Sequence, residues 1–203
     1  MNQSIKKVTV LASVPVFAIA LVAVISSVSA SALTTPTTVS SAIGSIITLL
    51  TSSGTVNLDS TPTASGVQTI ASDTITVSTN DAAGYTLKLN ETAAASALTS
   101  GSNTIPATAG TYAAPIAEAV NTWGYRVDSL GSFGAGPTSG VQNAAIGAAK
   151  FAAVPATASP QTLKTTATTA TNDTTTVWYG VAVNTATPSG TYTNSVTYTA
   201  VAN

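Results

Sequence analysis

The chain has 203 residues, carries six basic and seven acidic side chains, and contains neither histidine nor cysteine. These two absences exclude disulfide bonds, Ser-His-Asp and Cys-His catalytic groups, and zinc sites with His or Cys ligands. Only 6% of the residues are charged. No basic face for nucleic acid or for anionic lipid can be built from so few cations.

The first thirty residues have the layout of a secretory signal peptide. Lys6 and Lys7 precede an apolar run over residues 8–25, and residues 26–32 are almost all small. This pattern predicts export with cleavage after Ala30, although cleavage after Ala32 also satisfies the small-residue rule. The alternative is a retained membrane anchor, because the run approaches the length of a membrane span.

The sequence therefore divides into a signal peptide at residues 1–30, a Thr- and Ser-rich extended leader at 31–41, and one β-domain at 42–203. The mature part carries four basic and seven acidic residues, a formal net charge of −3. We expect an extracellular or cell-surface location, with membrane contact only through the signal segment before cleavage.

Strand signals are clearest at the end of the chain. Residues 191–201 alternate strictly, with Tyr192, Val196 and Tyr198 on one face and threonines on the other. Residues 175–184 alternate in the same way, and the Pro-Ser-Gly link between the two runs predicts a turn. These features predict a hairpin.

A second hairpin is predicted near the middle, from residues 73–79 and 85–89 around the Asn- and Gly-containing segment 80–84. Further strands are expected at 43–50, 121–128, 150–154 and 161–165. Eight or nine short strands indicate an all-β, Ig-like Greek-key sandwich with long loops, and a closed barrel is the alternative. Within the long connection 91–120, residues 113–120 could form one or two helical turns with Glu118 exposed.

The acidic residues do not predict catalysis. Glycosidases need two carboxylates on either side of the sugar bond, whereas the seven acids here are scattered singly. Asp59, Asp73, Asp81 and Asp173 fall where turns are expected. We expect no enzyme activity and no cofactor. Calcium at the Asn80-Asp81 or Asn172-Asp173 pair is a weak alternative, because neither pair belongs to a recognisable calcium loop.

Three aromatic residues are candidate contacts for a ligand or partner. Trp123 and Tyr125 share a strand face with Val127, which favours core packing. Trp178 lies on the face opposite Val177 and Tyr179, where it would be exposed or packed between layers. An exposed Trp178 would suit stacking on a sugar ring.

Several of these segments resemble a known group of proteins. Residues 73–87, 121–128, 177–181 and 188–199 are similar to uncharacterised Thr-rich secreted surface proteins of Gram-positive-type and candidate-phylum, Saccharibacteria-like bacteria. That group is distantly similar to WxL-type cell-wall proteins. The resemblance implies a surface location, while the W-x-L tripeptide is absent because Gly124-Tyr125 and Tyr179-Gly180 follow the two tryptophans.

Three functions fit these observations. The first is a structural or adhesive surface protein that contacts cell-envelope components, surface glycans or copies of itself. The second is a pilus-like filament subunit assembled by β-strand donation, with residues 33–48 or 191–201 as the donated strand. The third is a carbohydrate-binding module centred on Trp178.

Overall fold

The computed structural model describes residues 37–203, of which Ala42–Asn203 form one compact unit and residues 37–41 have no regular secondary structure. The signal segment and the cleavage site at Ala30 lie outside the described residues. So does most of the leader.

The described residues form an all-β structure without a helix, which confirms the predicted class. It has more strands than expected: β1 Ile47–Thr51, β2 Val67–Thr79, β3 Tyr85–Glu91, β4 Leu98–Ser100, β5 Asn103–Ile105, β6 Ile116–Ala117, β7 Thr122–Val127, β8 Val141–Ala144, β9 Lys150–Phe151, β10 Gln161–Thr165, β11 Ala170–Val183 and β12 Val196–Ala202. The extra strands are short ones within the long connections.

Two antiparallel sheets enclose the main core. The first sheet has the order β1-β2-β11-β7, and β8 pairs with the other end of β2. The second sheet has the order β10-β3-β12. Two small ribbons, β4-β5 and β6-β9, are built from the connections.

Alternation along the strands determines which side chains enter this core. In β2 and β11, Ile75, Val77 and Val177 are fully buried on the inner face of the first sheet. Leu87 and Leu89 of β3 are fully buried on the inner face of the second. The apolar side chains of the two inner faces pack against each other, and the burial of this apolar surface stabilises the pair of sheets.

Both predicted hairpins are wrong. β2 and β3 lie in different sheets, because β2 pairs with β1 and β11 while β3 pairs with β10 and β12. β11 and β12 are likewise in different sheets. The alternating pattern predicted the inner faces of these four strands correctly, although it missed the first half of β2. Strands that face one core from opposite sheets show the same pattern as strands paired edge to edge.

Three local predictions also need correction. Residues 113–120 contain the short strand β6 and no helix, and Glu118 is 3% exposed. Asp73 lies inside β2 on its buried face, and Asp173 lies inside β11, so neither occupies the expected turn. The final strand begins at Val196, since Thr193 is instead bridged to Thr99.

The long connections cover the outer face of the first sheet. Phe151 of β9 packs there with Ile70 and Trp178 in a second, small core. Gly180 makes this packing possible, because a Cβ atom at that position would lie 2.7 Å from the Phe151 ring and 2.8 Å from Glu118 Oε2. The domain therefore has a third layer, made of loops and short strands.

Candidate functional site

A cleft of about 960 Å³ opens against the inner face of β11. Its deep wall is formed by Tyr179, Val181 and Trp123, and its outer walls by residues 51–62 and 187–196. Leu98 and Ile105, from the β4-β5 ribbon, complete the apolar lining. The outer walls consist largely of Ser, Thr and Asn residues, so the cleft has an apolar base and a polar mouth. Clefts of this size with convergent polar groups are typical of binding sites.

A pair of tyrosines supplies polar groups to this cleft. The hydroxyl oxygens of Tyr179 and Tyr198 lie 2.6 Å apart. Burial raises the pKa of the Tyr179 hydroxyl well above its ordinary value, and the nearby Tyr198, Asp73 and Glu91 raise it further. Burial is also the main cause that raises the pKa of Tyr198. Both hydroxyls are therefore neutral hydrogen-bonding groups at physiological pH.

Asp73 is the buried one of two acidic residues that line the cleft, and the other, Asp59, is exposed. Its side chain is 4% exposed, and Oδ1 accepts hydrogen bonds from Ser52 Oγ at 2.8 Å and from the Ser53 backbone N–H at 3.1 Å. These contacts tie the segment after β1 to the middle of β2. The carboxylate thus holds one wall of the cleft in place.

Two other acids are buried apart from each other. Glu91, at the end of β3, faces the core and has neither oxygen hydrogen-bonded within the described residues. Burial raises its pKa to about 7, partly opposed by the Asn194 amide nearby. Glu118 lies on the outer side of the first sheet and accepts a hydrogen bond from Gln68 at 2.8 Å. Because they are on opposite faces, these carboxylates do not form a catalytic pair.

The three aromatic residues singled out from the sequence are all buried. Trp178 is 7% exposed, and its indole N–H donates to Asp128 Oδ2 at 3.1 Å. Trp123 is 3% exposed, donates to the Ser96 carbonyl at 2.9 Å and lines the cleft. Tyr125 is fully buried and packs edge-on against Phe133. Of these three residues, Trp123 lines the cleft, whereas Tyr125 and Trp178 do not.

The sequence analysis missed a buried arginine next to Trp178. Arg126 is fully buried and donates to Asp128 Oδ1 at 3.0 Å and to the Gly134 carbonyl at 3.0 Å. Its guanidinium carbon lies 6.0 Å from the centre of the Phe151 ring. The sequence does contain a feature that indicates a covering layer here. Gly124 and Gly180 lie on the same outer face as Arg126, and their lack of a side chain leaves room for residues that cover it.

The two pairs considered for calcium make turn and strand contacts. Asp81 Oδ1 accepts from the Ala83 backbone N–H at 2.8 Å, as in an Asx turn. Asp173 accepts hydrogen bonds from Lys164 Nζ at 2.6 Å and from the Tyr85 hydroxyl at 2.8 Å. Partial burial by itself would raise the pKa of Asp173, but these contacts outweigh it and lower the pKa. Among residues 37–203, no three acidic side chains cluster as metal ligands.

Comparison with known proteins gave no relative: no family model, curated protein or solved structure matches the chain. In the part of the chain that the structure describes, no helix is long and apolar enough to cross a membrane.

Proposed function

We propose that this chain is a secreted or cell-surface structural or adhesive protein that acts by binding and not by catalysis. The observation that carries the proposal is the cleft with its apolar base, polar mouth and neutral tyrosine pair. Such a site provides contact area and hydrogen-bonding groups for a partner. Export is supported by the pattern of the first thirty residues and by the resemblance to Thr-rich, distantly WxL-like surface proteins.

The same proposal includes an Ig-like, Greek-key arrangement of the two main sheets. Folds of this class present loops and strand edges at the surface of a rigid core, and they are common in extracellular modules. The partners we propose are cell-envelope components or surface glycans, which would contact the mouth of the cleft formed by residues 187–196. A role for calcium is not part of the proposal.

A filament subunit assembled by strand donation is the second candidate. The observation that favours it is the position of β12, which is an edge strand of the second sheet and contributes Val196 and Tyr198 to the cleft. A donated strand could pair with this edge and place side chains in the cleft. The carbohydrate-binding alternative is weakened, because the Trp178 ring that it requires is covered.

Location is tested by intact-mass measurement of the protein recovered from medium, wall and membrane fractions of the producing cells. A chain beginning at Ser31 in the medium or wall fraction supports the proposal. A full-length chain confined to the membrane fraction would contradict it.

Binding is tested by incubating the exported protein with isolated cell envelopes of the producing bacterium. The Tyr192→Ala variant changes the rim of the cleft, where the Tyr192 hydroxyl donates to the Pro188 carbonyl. Tyr112→Ala is the matched control, since Tyr112 packs against Phe133 outside the cleft. We expect envelope binding to fall only for Tyr192→Ala. Equal binding by both variants and the parent would exclude the cleft as the contact site.

A further inference from the structure

The strand β1 is an edge strand of the first sheet, and it also lies close to β12 of the second sheet. Among the described residues it pairs only with β2. Its sequence, Ile-Thr-Leu-Leu-Thr, contains no charged residue and no proline, the features by which edge strands usually avoid pairing with other chains. An edge of this kind is suited to main-chain pairing with another molecule.

The hydrogen bonds to β2 show which backbone groups remain at the free edge. The Asn80 N–H donates to the Ile46 carbonyl at 3.3 Å, and the Ser52 N–H donates to the Thr74 carbonyl at 2.8 Å. The backbone groups of successive residues in a strand point alternately to its two neighbouring sides. The even-numbered residues of this segment bond to β2, so the N–H and C=O groups of Ile47 and Leu49 point away from β2.

The side chains of this segment are apolar on both faces. Ile46 is 65% exposed and Leu50 is 67% exposed, and both lie on the outer face of the sheet. Ile47 and Leu49 point the other way and pack partly buried against the main core. The edge therefore combines free backbone groups with apolar side chains above and below them.

We propose that β1 pairs with β1 of a second copy of this chain, antiparallel and about a two-fold axis at Thr48. In this register Ile46 lies opposite Leu50 of the second copy on the outer face, and Ile47 lies opposite Leu49 on the inner face. The free backbone groups of Ile47 and Leu49 form the hydrogen bonds between the copies. Thr48 lies opposite Thr48 of the second copy in a non-hydrogen-bonded pair.

This register is favoured over its neighbours. Sliding by one residue places inner side chains against outer ones. Sliding the contact by two residues places Thr48 opposite Ile46 or Leu50, which loses the apolar pairs on the outer face. The symmetric arrangement makes one closed interface and joins two five-stranded sheets into a continuous one.

The second sheet has two edge strands, and both are less suited to self-pairing than β1. β10 contains the charged Lys164. On β12, Val201 is 53% exposed, and a two-fold axis at Thr199 would place it opposite Thr197. About this axis the exposed face of β12 forms no apolar cross-strand pair, whereas β1 pairs Ile46 with Leu50 of the second copy. β12 serves as the matched control edge for the experiment.

The first measurement is the molar mass of the full-length exported protein by light scattering after size exclusion, at concentrations from 1 to about 100 µM, around typical dissociation constants of modest interfaces. We expect a dimer that dissociates on dilution. Leu50→Lys should weaken dimerisation about tenfold or more, because each copy then places an ammonium group against an apolar partner. Val201→Lys should leave the dissociation constant unchanged. Circular dichroism and thermal melting confirm that both variants fold.

The second measurement locates the interface by crosslinking. The chain has no cysteine, so a single introduced thiol reports one position. Opposed residues in a non-hydrogen-bonded pair have Cα atoms about 4.5 Å apart, within reach of a disulfide. We expect Thr48→Cys to form a covalent dimer under mild oxidation and Thr199→Cys to remain monomeric. A monomer at every concentration, an open filament, or crosslinking only through Thr199→Cys would each overturn the proposal.

Discussion

The hydroxyl groups of Tyr179 and Tyr198 lie 2.6 Å apart and form a hydrogen bond between the two main sheets. Tyr179 is on β11 of the first sheet, and Tyr198 is on β12 of the second. The bond satisfies two polar groups in an apolar interior, where an unpaired hydroxyl would destabilise the fold. It also links the two sheets beside the cleft.

Replacement of Tyr198 by phenylalanine should destabilise the protein. The Tyr179 hydroxyl then stays buried without this partner, which costs about 1–3 kcal/mol. Urea unfolding measures the loss. Tyr125→Phe is the matched control, because the Tyr125 hydroxyl is buried and has no hydrogen-bond partner within residues 37–203. That variant should be neutral or slightly stabilising, and an equal loss in both would argue against a specific role of the bond.

The substitution Gly180→Ala should disrupt the covering layer on the first sheet. The added methyl group would lie 2.7 Å from the Phe151 ring, and overpacking of this kind costs about 1–3 kcal/mol. Gly54→Ala is the control, because its Cβ atom would meet no atom within 4 Å. We expect a lower thermal midpoint only for Gly180→Ala. Unchanged stability of that variant would mean that the layer moves aside easily.

Stability should fall as the pH rises from about 5 to 8. Burial is the largest cause that raises the pKa of Glu118 from 4.5 to about 8, opposed by the Gln68 hydrogen bond, and burial raises the pKa of Glu91 to about 7. Above pH 5 the unfolded chain has released most of both protons, whereas the folded chain holds them up to about pH 7 at Glu91 and about pH 8 at Glu118. Rising pH therefore favours unfolding. The depressed pKa of Asp173 acts in the opposite direction and only at lower pH.

The pH effect is measured as the urea midpoint at pH 5 and pH 8. We expect a loss on the order of a few kcal/mol for the parent chain and a smaller loss for Glu118→Gln, in which one of the two titrating groups is removed. Stability that rises with pH over this range, or an identical slope in Glu118→Gln, would show that Glu118 is ionised in the folded protein.

Tryptophan fluorescence should report two covered indole rings. The sequence contains two tryptophans, Trp123 and Trp178, which are 3% and 7% exposed. We expect emission shifted to the blue of free tryptophan, weak quenching by acrylamide, and a shift to the red on unfolding. Strong quenching in the folded state would indicate an accessible ring, and an emission change on adding a soluble glycan would favour the carbohydrate-binding alternative.

Individual strands could be predicted from local sequence because alternation depends only on neighbouring residues. The pattern placed Trp123, Tyr125 and Val127 together on the inner face of β7, and it placed Trp178 opposite Tyr179. It also indicated an all-β chain with few charges. The buried position of Glu118 was missed, because a single acid in an Ala-rich segment has no local feature that distinguishes burial from exposure.

The sequence by itself excluded disulfide bonds and any site that needs histidine or cysteine. It also determined the strand-rich class and the inward face of the strands that it predicted. Only the tertiary structure decided that β2 and β3 lie in different sheets, and that β11 and β12 do so too. It alone also decided that Trp178 and Arg126 are covered by a third layer and that a cleft forms beside Tyr179 and Tyr198. The physical reason is that alternation depends on the environment of one strand, whereas partners, covering layers and clefts depend on contacts between residues far apart in the chain.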